Sequence, residues 1–338
     1  MAHAVIMAGG QGERFWPLTS EEFPKYLIRL DGKNSLLQKA YGRLLKIYDK
    51  KKIHVVTTKN HVPFIRKVLP SLTPSNIITE PFRRNTAPAI FLSTALLAER
   101  FGGQEVVSFF PADHLIQNET AFRQTIKNAL TAAGQQRVLV TVGIQPAFPA
   151  TGYGYIHTGR PIVNKLGAYR VKSFKEKPSR RIAQGYLRKK NFLWNAGIFA
   201  WRADVFLEAM RKFAPQISRG FHLKNLNRSY ERLPRVSIDY ALMEKADNVA
   251  VIKTRMDWCD MGNWDMFFEK AKKDKNGNTL QGAVRQKECK GTLLANFTGT
   301  PLAVVGLQNF IVVRAGQGTL ICRRSQSEES ARFGAREQ

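Results

Sequence analysis

Ala4-Val5-Ile6-Met7-Ala8-Gly9-Gly10-Gln11-Gly12-Glu13-Arg14-Phe15-Trp16-Pro17-Leu18-Thr19, with Pro24-Lys25 just behind it, is the stretch that decides the fold. The apolar run at its start reads as a buried strand. Three glycines, an arginine and a lysine follow, so the strand runs into a flexible, amide-rich turn that carries two cations. Ala8, Gly9, Gly10 and Gly12 let the backbone approach phosphate oxygens closely and point N–H groups at them. Arg14 forks onto phosphate oxygens, and Lys25 is a mobile point charge. Such a turn suits a polyanion, above all a nucleoside triphosphate. Two other glycine loops are excluded. No Lys-Ser/Thr pair follows Gly12, as a Walker A loop requires, and Phe15 stands where a dinucleotide fingerprint needs its third glycine. Standing alone, a glycine turn with an arginine is also an ordinary turn.

Outward from this turn, strand-like and helix-like segments alternate. Residues 4–8, 53–58, 76–79, 105–110 and 137–143 read as strands. Helical spacing of apolar residues marks 35–48, 62–69, 86–101 and 119–133, and Gly102-Gly103 stops the third of these. The alternation predicts an α/β fold with a doubly wound, mainly parallel sheet, whose ligands sit at the carboxyl ends of the strands. The glycine turn and Pro111-Ala112-Asp113-His114 both follow predicted strands. A polar, turn-rich break at 272–282 marks the expected boundary between a domain at 1–277 and a small all-β domain at 278–338, which a β-helix-like stack would build. The polar end, 325–338, is expected to fray.

Composition narrows the class. The chain has 338 residues, 43% of them hydrophobic, as for a globular protein with a sizeable core. No stretch reaches the roughly 18 consecutive apolar residues of a membrane span, and the start lacks the pattern of a signal peptide. The three cysteines are too scattered for a disulfide framework or zinc site, which makes a reducing cytoplasm the expected compartment. The net charge of +27 points to a solvated basic surface, to anionic small substrates or to nucleic acid. No nucleic-acid-binding signature accompanies it, so neither nucleic acid nor membrane is an expected partner.

Several constellations carry chemistry. Asp113 at the end of an apolar strand would need a partner such as a phosphate-bridging magnesium ion, or would cap the next turn. Asp260, in Trp258-Cys259-Asp260-Met261-Gly262-Asn263-Trp264, reads as a second metal carboxylate or as an N-cap. Phe174-Lys175-Glu176-Lys177-Pro178 sets an acid beside a base, as a surface ion pair also would. Asn195, in Trp194-Asn195-Ala196-Gly197-Ile198-Phe199, is an amide among apolar residues, and a sugar hydroxyl would satisfy it. Thr151-Gly152-Tyr153-Gly154-Tyr155 has the composition of a sugar site and equally of a glycine-rich hairpin.

Taken together and in order, these segments resemble the sugar-phosphate nucleotidylyltransferases over nearly the whole chain, and within them the mannose-1-phosphate guanylyltransferases. Ser237-Ile238-Asp239-Tyr240 with Met243-Glu244 fits the same plan. Glu80-Pro81, followed by Arg84-Asn85-Thr86-Ala87-Pro88, is the most discriminating segment, since it resembles the one that sets guanylyl-transferring members apart. The resemblance implies a Rossmann-like nucleotidyltransferase sheet and assigns roles by position. Arg14 and Lys25 would neutralise the triphosphate, and Asp113 and Asp260 would hold Mg²⁺. Lys177 would bind the sugar phosphate, while Gly154, Glu176 and Asn195 would hold sugar hydroxyls. Glu80, Asn85 and Thr86 would lie near guanine. The implied partners are GTP and mannose 1-phosphate, the implied assembly a homodimer, and the length resembles a form without a fused isomerase domain. The implied reaction is in-line attack on the α-phosphorus of GTP, giving GDP-mannose and pyrophosphate. A relative using another hexose phosphate or nucleotide, and a non-catalytic sugar-nucleotide binder, are the alternatives. Tyr26-Leu27, Met261 and Asn263 depart from common family residues without touching a proposed functional one. The segment 312–318 replaces an acidic one, which bears on the packing of the β domain.

Overall fold

The opening apolar run becomes β1 (Ala2–Met7) of a nine-stranded sheet in the computed structural model, which describes residues 1–10, 12–30 and 32–334. Gln11 of the glycine turn and the last four residues of the tail expected to fray lie outside the described residues. The other strands are β2 (Ile53–Thr58), β3 (Ile77–Glu80), β4 (Val106–Pro111), β5 (Leu139–Ile144), β6 (Tyr155–Val163), β7 (Ala168–Lys175), β8 (Phe192–Arg202) and β9 (Val249–Thr254). Their order is β3-β2-β1-β4-β8-β5-β9-β7-β6. Strands β3, β2, β1 and β4 are mutually parallel, as are β5 and β9, while β7 and β8 run against their neighbours. Every residue of β5 is buried, as is normal for a strand covered on both faces.

Helices cover both faces. On one, α1 (Thr86–Phe101) and α3 (Ala203–Phe213) pack with Val5, Phe109 and Trp201. On the other, α2 (Glu119–Gln136) lays Ala129 and Ala133 against Val140, Ala200 and Ala250. This is the α/β, doubly wound arrangement that the alternation predicts. The helix expected at 35–48 is shorter, Leu36–Leu44. The sheet and these helices belong to one compact unit, made of Met1–Gly9, Ala40–Ala112 and Ile116–Trp258.

The second unit contains Gly10–Lys39, Asp113–Leu115 and the chain from Cys259 onward. Its strands are β10 (Thr279–Gln281), β11 (Val284–Lys287), β12 (Leu293–Asn296), β13 (Leu302–Val305), β14 (Phe310–Ala315) and β15 (Gly318–Arg323). They pair as β10-β12-β14-β15 and β11-β13, all parallel except β14 with β15. Thr279, Leu293 and Ile311 stand in register, so successive rungs stack as in a β-helix. Gly282 (φ +78°) turns the chain where a β-carbon would stand 1.9 Å from the Asn296 carbonyl oxygen, so no other residue fits there. The core of this unit joins Leu293, Ile311 and Val313 to Phe15, Ile28 and Trp264.

The fraying expected from 325 onward is overturned for the described part. Arg324–Ser330 forms 3₁₀ turns and Ala331–Gly334 a helical turn, with Ser327 and Ser330 buried. The polar composition misleads because the buried groups there are serines with hydrogen-bond partners. No helix among the described residues is long and apolar enough to cross a membrane.

Candidate active site

The second unit gathers the cationic turn and both aspartates. Gly12 is left-handed (φ +79°), and a β-carbon there would lie 2.5 Å from Lys25 Cβ. Glycine therefore lets the turn close onto the lysine. The Thr19 hydroxyl donates to the Gly12 carbonyl (2.7 Å), which fixes the turn. Arg14 lies in the one-turn 3₁₀ segment Glu13–Phe15, its side chain exposed while the next residue, Phe15, is buried. A β-carbon at Gly10 would meet nothing within 4 Å, so that glycine borders open space.

Lys25 is the hub. Its side chain is 12% exposed, and its ammonium lies 2.7 Å from Asp113 Oδ2 and donates to the Asp260 carbonyl (2.8 Å). Burial alone would push the Asp113 carboxyl up. The charges of Lys25 and His114 outweigh it and hold the carboxyl below its usual range. Met261 is left-handed (φ +49°), and a β-carbon on Gly262 would stand 3.2 Å from Asp260 Oδ1. The bare glycine leaves room for that carboxylate. The two aspartates are thus brought to one lysine. No cluster of three or more His, Cys, Asp or Glu side chains that could hold a metal occurs among the described residues. Magnesium does not require one: one or two carboxylates suffice when phosphates and water complete its shell. Asp113 and Asp260 are hard oxygen donors of the kind such a site uses.

The first unit carries the acid, amide and lysine predicted to handle a sugar phosphate. A cavity of about 400 Å³ is lined by Asn85, Thr86, Glu176, Lys177, Arg235, Asp239 and their neighbours. Gly154 makes room for Glu176, since a β-carbon there would stand 2.5 Å from Glu176 Oε2. The Gly154 carbonyl also accepts from the Asn195 amide N–H (2.8 Å). The Asn195 side chain is locked. Its Oδ1 accepts from the Thr141 hydroxyl (2.7 Å) and the Gly197 N–H (3.2 Å), and its Nδ2 donates to Asp239 Oδ1 (3.0 Å). Asp239 is the one acceptor that Nδ2 has among the described residues. Lys177, left-handed (φ +45°) and 58% exposed, lies 3.8 Å from Glu176 Oε1.

Sequence reasoning gives no role to Asp239, Glu244 or Tyr230. A π-helical turn, Asp239–Met243, closes with the Glu244 N–H donating to the Asp239 carbonyl (2.9 Å). Such wide turns recur at functional sites. Glu244 Oε1 accepts the Glu176 N–H (2.8 Å). Burial, with Asp239 and Glu244 adding like charge, pushes the Glu176 carboxyl up against the pull of Lys177, and burial pushes Asp239 up as well. Both carboxyls therefore hold a proton more tightly than they would in water. The motif carrying Asp239 and Glu244 is legible, but not that it faces Glu176.

Glu80 ends β3, buried, and accepts a hydrogen bond from the Tyr230 hydroxyl on Oε2. A β-carbon on Gly9 would stand 3.9 Å from its Oε1. Burial pushes the Glu80 carboxyl up to about 7, against the Tyr230 hydrogen bond and the charge of Arg83. Ala8 is buried, its N–H donating to the Val56 carbonyl (2.9 Å). Asn85 caps α1 from an unusual backbone (φ 68°, ψ −171°), its Oδ1 accepting the Thr86 N–H (2.8 Å). The Thr86 hydroxyl oxygen accepts from the Ile238 N–H (2.9 Å). Asn85 and Thr86, read from the sequence as nucleotide ligands, line the cavity of Glu176 and Lys177.

The model of the nucleotidyl transferase family matches residues 3–277. The chain is 37% identical to the xanthan biosynthesis protein XanB of Xanthomonas campestris pv. campestris (strain B100), over 96% of this chain and 71% of that protein. It is 35% identical to a mannose-1-phosphate guanylyltransferase of Klebsiella pneumoniae, over 96% of this chain and 71% of the relative. Among solved structures, a Thermus thermophilus protein described as mannose-1-phosphate geranyltransferase superposes with a TM-score of 0.87 at 28% identity, over 98% of each chain.

Proposed function

This chain belongs to the nucleotidyl transferase family, and we propose that it transfers GMP from GTP to α-D-mannose 1-phosphate, releasing pyrophosphate and GDP-mannose. The observation that carries this reading is the cavity lined by Glu176, Lys177 and Asp239, with Asn195 hydrogen-bonded to Asp239. Carboxyls and an amide suit sugar hydroxyls, and the lysine suits the phosphate. Asn85 and Thr86 share that cavity, which supports giving them the sugar-phosphate side of the reaction. Glu80 Oε1 would accept guanine N1–H and the exocyclic amine, and Ala8 and Gly9 lie on the strand end beside it.

In the step proposed, a phosphate oxygen of mannose 1-phosphate attacks the α-phosphorus of GTP. The new P–O bond forms as the bond to the β-phosphate bridging oxygen breaks, and pyrophosphate leaves with that electron pair. The attacking phosphate is already ionised, so no strong base is needed. Lys25 and Arg14 neutralise the triphosphate, Lys177 orients the nucleophile, and catalysis is positioning with charge neutralisation. Magnesium held by Asp113 and Asp260 would supply Lewis-acid neutralisation of phosphate charge. On the same resemblance we propose a cytoplasmic homodimer, and a division at residue 277, where the family match ends.

The test is product identification. GTP, mannose 1-phosphate and Mg²⁺ incubated with the protein should give GDP-mannose by mass spectrometry. Absence of that product from folded protein would overturn the reading.

A further inference from the structure

The C-terminal segment at 324–334 is fastened at several points to the stretches that carry Arg14 and that follow Asp260. The Arg324 guanidinium pairs with Asp265 (2.6 Å) and Glu269, and lies 4.0 Å from the Phe268 ring centroid. Glu328 Oε1 accepts from Asn263 Nδ2 (3.4 Å), three residues after Asp260. The Phe333 ring lies 5.6 Å from that of Trp16. At the centre, Ser330 is 1% exposed, with its hydroxyl oxygen 2.8 Å from the Arg14 carbonyl and 2.8 Å from the Ser327 carbonyl. No other hydrogen bond reaches the Arg14 carbonyl among the described residues.

Arg14 needs such a fixture. Its 3₁₀ turn is a single turn, closed by the Phe15 and Trp16 N–H groups, and its side chain is exposed. Among the described residues no hydrogen bond or ion pair holds the guanidinium, so what the fold fixes is the backbone position from which it reaches. A long cation aimed in advance loses less freedom on binding a phosphate than one that must be ordered at that moment.

We propose that Ser330 is a positioning residue. Through the Arg14 carbonyl, and held by the tail at 324–334, it aims the Arg14 guanidinium at the triphosphate before GTP binds. The inference rests on the proposed function for the identity of the polyanion. It explains why a serine- and glutamate-rich end packs rather than frays.

The test is a double-mutant cycle with Ser330→Ala and Arg14→Ala. Ser330→Ala should lower kcat/KM for GTP about tenfold, roughly the loss of one well-made hydrogen bond to a reacting phosphate. The KM for mannose 1-phosphate should stay at the wild-type value, and the melting temperature should fall by no more than the few degrees that one buried hydrogen bond is worth. In the Arg14→Ala background the serine substitution should have no further effect. A kcat/KM for GTP within twofold of wild type, or an equal loss in the Arg14→Ala background, would overturn the proposal. Should Ser330→Ala melt early, the exposed Glu328→Ala reads the same clasp, with the same expected loss for GTP. If the wild-type protein makes no GDP-mannose, the proposed function fails by itself. Calorimetric titration of GTP into the same variants then decides the positioning role, and no wild-type binding of GTP would overturn both.

Discussion

Glu80 is the residue where fold and function pull in opposite directions. Its carboxyl ordinarily titrates near 4.5 and is pushed up to about 7, by burial above all. The folded state therefore holds the proton more tightly, and its stability relative to the unfolded chain falls as pH rises from about 4.5 through 7. Glu80→Gln keeps an acceptor for Tyr230 and removes the charge. It should stabilise the protein at pH 8 by on the order of 2–3 kcal/mol, with no gain at pH 4, in denaturant melts at the two pH values. The same substitution should weaken GTP use, because guanine N1–H and its amine seek a carboxylate. A variant with unchanged kcat/KM for GTP would remove Glu80 from base recognition. At the carboxylates proposed to hold Mg²⁺, Asp113→Asn and Asp260→Asn should each cut turnover by roughly 10²-fold or more with the fold retained by circular dichroism. Gly154→Ala would drive a methyl into Glu176, where 2.5 Å separates the β-carbon position from Oε2. It should raise the KM for mannose 1-phosphate more than that for GTP. Gly154, Glu176 and Asn195 are legible as single residues. Asp239 is not read as the partner of Asn195, nor Tyr230 as that of Glu80, because those contacts span 44 and 150 residues of sequence.

Among the elements, the start of α1 shows what local sequence can and cannot convey. The helix runs from Thr86 to Phe101, the span that apolar spacing and the Gly102 stop predict. Its cap, Asn85, holds a backbone conformation (φ 68°, ψ −171°) that glycine adopts freely and other residues adopt under strain. Asn85→Ala should cost about 1 kcal/mol, since it loses the cap and keeps the strain, and Asn85→Gly should cost only a few tenths. Thermal melts of the two variants check the ranking, and an equal loss would contradict it. The strands are legible for the same reason, their apolar runs being local. The tail is not: it orders through Ser330 and Arg14, 316 positions apart, and through the Arg324 ion pairs, which no window of sequence contains.

For the molecule as a whole, the net charge of +27 produces a field that attracts phosphorylated substrates at long range. That field is screened by salt, so kcat/KM for GTP should fall at least about threefold between low salt and roughly 0.3 M NaCl, with kcat less affected. A salt-independent kcat/KM would leave the charge excess without a role in capture. Composition gives the sign of this effect but not its distribution, since the basic residues are spread along the chain and only folding decides what they surround. Which nucleotide and which sugar phosphate react together defines the enzyme. The decisive measurement is pyrophosphate release with Mg²⁺, comparing kcat/KM for GTP, ATP, UTP and dTTP against mannose 1-phosphate and glucose 1-phosphate. GTP with mannose 1-phosphate should exceed every other pair by at least tenfold. A preference for another pair would contradict the guanylyl and mannosyl assignments, and no release with any pair would contradict the transfer reaction itself.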